Sequence, residues 1–202
     1  MEAALQARGE RTRRVWARGG YTPLFSALKA VMRRVRPGAI PAPGRSEKRS
    51  RLLRRGWRRT LWLGLALCDL ALYYGFWIRW LKLRGFTVLS DRYVLDTELD
   101  FDLNFPDARV RQSWPWRCLL AVVPSPERSF MFLVSVEESQ RRAALKNEPF
   151  PDSAAVLAER CRVYEAACQS GAYMRIDGLQ SREVITQELL AQIDAVLGKR
   201  AS

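Results

Sequence analysis

Apolar positions along this chain follow helical spacing in some stretches and form short strand-like runs in others. Residues 1–9 read as the closing turns of a helix, with Gly9 just past its end, and Thr12 to Ala17 reads as a short strand. Leu24, Leu28 and Val31, with Phe25 and Met32, recur at helical spacing behind Pro23, so Pro23 to Val35 predicts a helix. From Leu61 the pattern is helical through Trp77, Trp80 and Leu81 to a stop at Gly85. Phe86 to Ser90 is then a near-continuous apolar run of the kind that fills a buried parallel strand. Phe130 to Val136 and Tyr173 to Asp177 repeat that signature. Helices are expected from Glu137, over Ala154 to Gln169 and over Arg182 to Leu197. Strands alternating with helices predict an α/β fold with a doubly wound parallel sheet.

Two stretches break the pattern. Residues 37–60 are basic and begin with a Pro/Gly-rich run, which predicts a linker inside a single domain spanning 1–202. Leu61 to Ile78 is 18 residues with one charge, Asp69, at the lower edge of a membrane span. A mid-span acid is costly in lipid, and both flanks are basic: Arg54, Arg55, Arg58 and Arg59 before, Arg79, Lys82 and Arg84 after. A helix buried against a sheet accounts for these features, so no membrane span is predicted. Residues 1–9 contain no apolar signal-peptide core.

Charge changes the picture most in the first third. The chain has 202 residues and net charge +13. Residues 1–60 carry 17 Lys+Arg against 3 Asp+Glu, whereas residues 87–202 carry 14 against 17. The basic third suits an anionic partner: a nucleotide, nucleic acid or anionic lipid. The chain has no histidine, which excludes imidazole catalysis and the usual zinc sites. Cys68, Cys118, Cys161 and Cys168 include no CxxC pair and read as scattered buried thiols of a cytoplasmic protein.

The candidate chemistry lies at element ends. Gly38 to Gly44 fails as a phosphate loop: five residues separate the glycines, and Arg45 stands where lysine belongs. Asp91-Arg92-Tyr93 closes the Phe86 strand, where open α/β sheets bind ligands. Arg141, Arg142 and Lys146 precede a Pro-punctuated loop at 147–152 and read either as a solvated helix end or as a phosphate clamp. Asp96, Asp100 and Asp102 follow the Asp-Arg-Tyr strand; they read either as water-mediated holders of a divalent metal or, as expected, as exposed loop acids. If helical, Asp96 and Asp100 share a face.

Taken in order, these segments resemble the thymidylate kinase family of nucleoside monophosphate kinases, within the P-loop kinases. The resemblance rests on Arg18-Gly-Gly-Tyr-Thr-Pro23 after a strand, and on Asp91-Arg92-Tyr93 after a long helix and Gly85. It rests also on the arginine-bearing stretch from Glu138 to Asp152, and on Arg162 and Tyr164 ahead of the strand ending at Asp177. The resemblance implies ATP-dependent phosphoryl transfer to a thymidylate-type nucleotide with Mg2+. Arg18 and Arg92 would contact the acceptor phosphate, with Gly19, Gly20 and Tyr93 beside the substrate. Asp91 would sit near the metal, and Arg141, Arg142 and Lys146 would close over the transferring group. It also allows a homodimer and gives no reason to expect a specific nucleic acid.

The departures are definite. No GxxxxGK[ST] occurs in the chain. The family's P-loop belongs on a strand and turn before the helix that here begins at Met1, so the expectation is a chain without its first strand, and inactive without its P-loop. Ala66 and Leu70 stand where the family reads thymine with an aromatic and an arginine. The competing readings are a basic binding module for nucleic acid or anionic membrane, and a single-pass membrane protein spanning 61–78.

Overall fold

The computed structural model describes residues 1–16, 22, 30, 31, 34, 56–148 and 151–201. Residues 37–55 of the expected linker and nearly all of the helix expected over Pro23 to Val35 lie outside the described residues, although Ala30, Val31 and Arg34 are helical. The last five residues of the expected linker, 56–60, are instead the opening of the long helix. The chain divides into two compact units. The first is Gln6–Pro124 with Glu2; the second is Ser125–Ser202 with Met1 and Ala3–Leu5. The fold is mixed α/β, and its strands pair in parallel, as the alternating pattern requires. Among the described residues the pairing occurs as two separate two-stranded pairs.

α1 (Glu2–Gln6), whose residues Ala3–Leu5 belong to the second unit, is followed by Gly9, and β1 of the first unit is Thr12–Trp16. A long helix begins at Gly56. Gly56–Leu70 (α2) continues as a π-helical stretch, Ala71–Ile78, and finishes as Arg79–Leu83 (α3). Gly9 and Gly85 both have positive φ, at 83° and 76°, and serve as the left-handed stops that the sequence predicts. β2 is Thr87–Asp91, one residue later than expected, so Asp91 is its final residue. β1 and β2 run in register from Thr12↔Thr87 to Trp16↔Asp91.

The core of this unit lies against one face of the long helix. Leu63, Ala66, Leu67, Leu70, Tyr74, Ile78 and Leu81 are buried with Val15, Phe101, Val110, Trp116 and Leu119. Asp69 is buried in the same helix and accepts a hydrogen bond from the Thr22 hydroxyl, so a polar partner accompanies the acid into the core. Among the described residues Arg59–Leu83 is the one helix long and apolar enough to cross a membrane.

Two further α-helices are described in the unit, α4 (Val94–Asn104) and α5 (Trp114–Val122), with the short 3-10 turns Pro106–Ala108 and Val110–Gln112 between them. The sequence pattern missed α5, although Ser113 and Pro115 mark its start. The Ser113 hydroxyl accepts from the Trp116 N–H at 3.4 Å. Gly75 lets the π-helical stretch approach α5, since a Cβ there would lie 3.0 Å from Val122 Cγ2. Arg79 donates to the Val122 carbonyl at 3.1 and 3.3 Å, covering the last turn of α5 with a cation.

In the second unit, β3 (Phe130–Leu133) pairs with β4 (Met174–Asp177), from Phe130↔Met174 to Leu133↔Asp177. β3 stops short of the expected Val136, because Ser135 already caps the next helix. The helices are α6 (Val136–Leu145), α7 (Ala154–Gln169) and α8 (Arg182–Ala201). Each begins behind a serine whose hydroxyl accepts a backbone N–H: Ser135 from Glu138, Ser153 from Val156 and Ser181 from Val184. Leu5, Met131, Ile176, Leu189, Leu190 and Ile193 are the buried apolar residues of the unit.

All four cysteines are free. Cys68 and Cys118 are exposed, which corrects the expectation of uniformly buried thiols. Cys161 and Cys168 are half-buried, and burial raises both thiols above their ordinary pKa.

Candidate functional site

The parallel pair β1–β2 puts both of its carboxyl ends at one edge. At that edge, Arg14 opposes Leu89, and Asp91 lies two residues further along on the same face. The Arg14 guanidinium therefore reaches the Asp91 carboxylate diagonally and forms an exposed ion pair. That bond and the charge of Asp91 raise the Arg14 pKa. No sequence signal marks this pair, because it exists only once the register is fixed.

Beyond Asp91 the chain makes a sharp turn. Arg92 has φ of 71°, in the left-handed region that a bulky side chain rarely enters. The Ser90 hydroxyl donates to the Arg92 carbonyl at 2.8 Å and closes the turn. Tyr93 is the N-cap of α4, and its N–H donates to the Asp96 carboxylate at 3.4 Å. The Tyr93 hydroxyl donates to the Pro124 carbonyl at 2.7 Å. Its ring meets that of Tyr74 edge-on, with centroids 4.7 Å apart. Tyr74 is fully buried, and burial pushes its phenol well above the ordinary value, against a hydrogen bond with Thr97. The strained turn thus stands on a rigid aromatic base.

The acids behind the turn correct the loop expectation. Asp96, Asp100 and Asp102 are on α4, and Asp100 is buried. Asp96 caps the helix, and Asp100 meets the Arg92 guanidinium at 3.9 Å. Arg111 binds Glu98 at 2.6 Å and Asp102 at 3.6 Å. Burial raises the Glu98 carboxyl pKa, and Arg111 opposes the shift. Among the described residues no three metal-ligating side chains gather. Asp91, the residue expected near Mg2+, is engaged by Arg14. Arg18, Gly19 and Gly20 lie outside the described residues. Thr22, in the same sequence segment, is anchored to Asp69.

The lid candidates belong to the second unit. Arg141 grips Glu138 with two bonds, at 2.7 and 2.8 Å. Arg142 binds Glu138 at 2.6 Å and donates to the Gly178 carbonyl at 2.8 Å, joining α6 to the turn after β4. The two arginines hold the Glu138 carboxyl down at about 2. Lys146 is exposed at the C-cap of α6, where a cation suits the helix end. Arg162, on α7, pairs with Glu159 at 2.6 Å.

The chain matches no protein-family model, and no curated protein matches it.

Proposed function

We propose that this chain binds a nucleoside monophosphate at the carboxyl edge of β1 and β2, on a scaffold of the thymidylate-kinase type. The finer reading of the fold, a P-loop kinase-like parallel sheet in a cytoplasmic protein, belongs to the same proposal. The observation that carries it is the register ending Trp16↔Asp91. Arg18 follows β1 by two residues and Arg92 follows β2 by one, so the two segments leave adjacent parallel strands at the edge where α/β sheets bind ligands.

Arg92 supplies a planar fork suited to phosphate oxygens. Its left-handed backbone fits a functional constraint better than a passive turn, where glycine would carry less strain. A phosphate dianion competes well against Asp100, which meets Arg92 beyond ordinary hydrogen-bond distance. Thymine selectivity is not part of the proposal, given Ala66 and Leu70. ATP would be the phosphoryl donor by resemblance, but transfer needs backbone amides and a lysine around the β- and γ-phosphates. No GxxxxGK[ST] is present, so residues 1–202 are expected to bind nucleotide and turn over little or none.

The test is calorimetric titration with a panel of nucleoside monophosphates on the parent chain and on Arg92→Ala. At least one nucleotide should bind, and the variant should bind it at least about tenfold more weakly. Binding unchanged in the variant, or no binding by the parent, sinks the proposal. A coupled ADP-release assay accompanies it, and robust turnover would place the phosphate cradle elsewhere.

A further inference from the structure

The long helix has two apolar faces, and the core of its unit uses only one. Leu61, Leu65, Leu72, Phe76 and Leu83 are between 43% and 87% exposed. Cys68, between Leu65 and Leu72, is exposed as well. The steps of 4, 3, 4, 4 and 7 residues put these six side chains in one stripe opposite the buried face, about 30 Å long. From Leu61 to Ile78 the only charged residue is Asp69, and it is buried on the other face. A soluble surface rarely leaves so long an apolar stripe without a partner.

Both ends of the stripe say what covers it. Trp57 is 66% exposed before it, and Trp80 is 37% exposed near its far end. Trp80 stacks on Trp77 at 4.8 Å, and the Arg84 guanidinium lies over the Trp80 ring at 5.1 Å. The flanking charges are all cationic: Arg59 before, Arg79, Lys82 and Arg84 after. A second copy laid along the stripe in either direction would bring cation to cation. An anionic bilayer complements every part. Acyl chains receive the leucines and Phe76, tryptophans settle at the headgroup level, and Arg and Lys meet lipid phosphates and carboxylates. The opposite face is committed to a protein core that contains the Asp69–Thr22 pair, so the helix lies in the surface and does not cross it.

We infer that the exposed stripe of the long helix docks this protein in the plane of an anionic lipid surface. The inference is independent of the nucleotide proposal. It explains why residues 61–78 are apolar all round while carrying one buried acid.

The full chain is floated with phosphatidylcholine vesicles, with and without phosphatidylserine. A second preparation keeps Cys68 as the only cysteine and carries an environment-sensitive fluorophore there. Binding should be at least about tenfold tighter to the anionic vesicles, weaker as salt rises, and accompanied by a blue shift of the Cys68 probe. The double variant Leu72→Gln/Phe76→Gln should lose at least about tenfold in binding. Both side chains are exposed, so its circular dichroism should match the parent. Four results would overturn the inference. Variant binding equal to the parent's would leave the basic first third as the anchor. Retention after high-pH carbonate washing would indicate a span. A dimer that the double variant abolishes would assign the stripe to a second copy. A Cys68 thiol unreactive in the free chain would show the stripe already covered by the protein itself.

Discussion

At the end of β2, Arg92 stands on a strained turn and meets Asp100 at 3.9 Å; on α6, Arg141 and Arg142 both close on Glu138 at 2.6 to 2.8 Å. Both places are basic in sequence, and both are arginine positions that the proposed thymidylate-kinase-type scaffold would use. The difference lies in where the carboxylate sits. Glu138 is three and four residues before its arginines on one helix, so the helix itself brings them together. Asp100 lies across a turn and one helical turn deeper, partly out of reach. A phosphate approaching α6 must first displace charge-assisted bonds, whereas one approaching Arg92 displaces a loose contact. Cationic sequence therefore marks a phosphate site only where no acid waits at helical spacing.

The largest expected effect tests whether the Arg92 turn depends on its aromatic base. Tyr74→Ala should cost about 3–5 kcal/mol in urea unfolding and take nucleotide binding with it. Tyr74→Phe, which loses only a hydroxyl, should cost about 1 kcal/mol. Equal effects from the two would show that packing beneath the turn is unimportant.

Arg92→Gly comes next and separates strain from function. Glycine accepts the left-handed backbone, so stability should stay within about 1 kcal/mol of the parent. Nucleotide affinity should still fall at least about tenfold. Parent-like affinity in titration would erase the contrast with α6.

On the α6 side, Arg142→Ala removes the link to the Gly178 carbonyl and should cost about 1 kcal/mol by thermal or urea unfolding. Arg141→Ala touches only Glu138 and should cost clearly less. The reverse order would mean that the Gly178 contact does not hold the unit together.

The smallest effect is a pH dependence. The Glu138 carboxyl is held at about 2, below its usual 4.5, by Arg141 and Arg142. Its contribution is complete above the unfolded value near 4.5 and fades as pH falls toward 2. Glu138→Gln should therefore be less stable than the parent at neutral pH, with the gap closing across that window in paired urea titrations. A gap of constant size down to pH 2 would show that the pairing is not what depresses the carboxyl.

The parts of the fold carried by local chemistry were legible from sequence. Gly9 and Gly85 marked their helix ends, the α7 bounds were read as they stand, and the strands fell within three residues of their expected ends. The Asp-Arg-Tyr turn is legible from its position after an apolar run. Features that depend on distant partners were not legible. The Arg14–Asp91 bond needs the register of β1 on β2, and the burial of Asp100 needs α4 laid on the core. The acids at 96, 100 and 102 read as a loop because their charge outweighed the apolar Val94, Leu95, Leu99 and Phe101 interleaved among them. Which face of the long helix is exposed was equally hidden, since both faces are apolar.

The π-helical stretch has a consequence for how the gene can change length. Deleting one codon from an α-helix turns everything downstream by about 100°, which would carry Leu81 out of the core if the deletion fell among residues 64–68. Between Ala71 and Ile78 the winding is already loose by the i→i+5 pattern, so the loss of one half-exposed residue there, Ala71 or Tyr73, can be absorbed by tightening into ordinary α-turns. Leu63 and Leu81 then keep their common orientation. In a scan of single-residue deletions along the long helix, this window is where the reading of both faces should survive an indel.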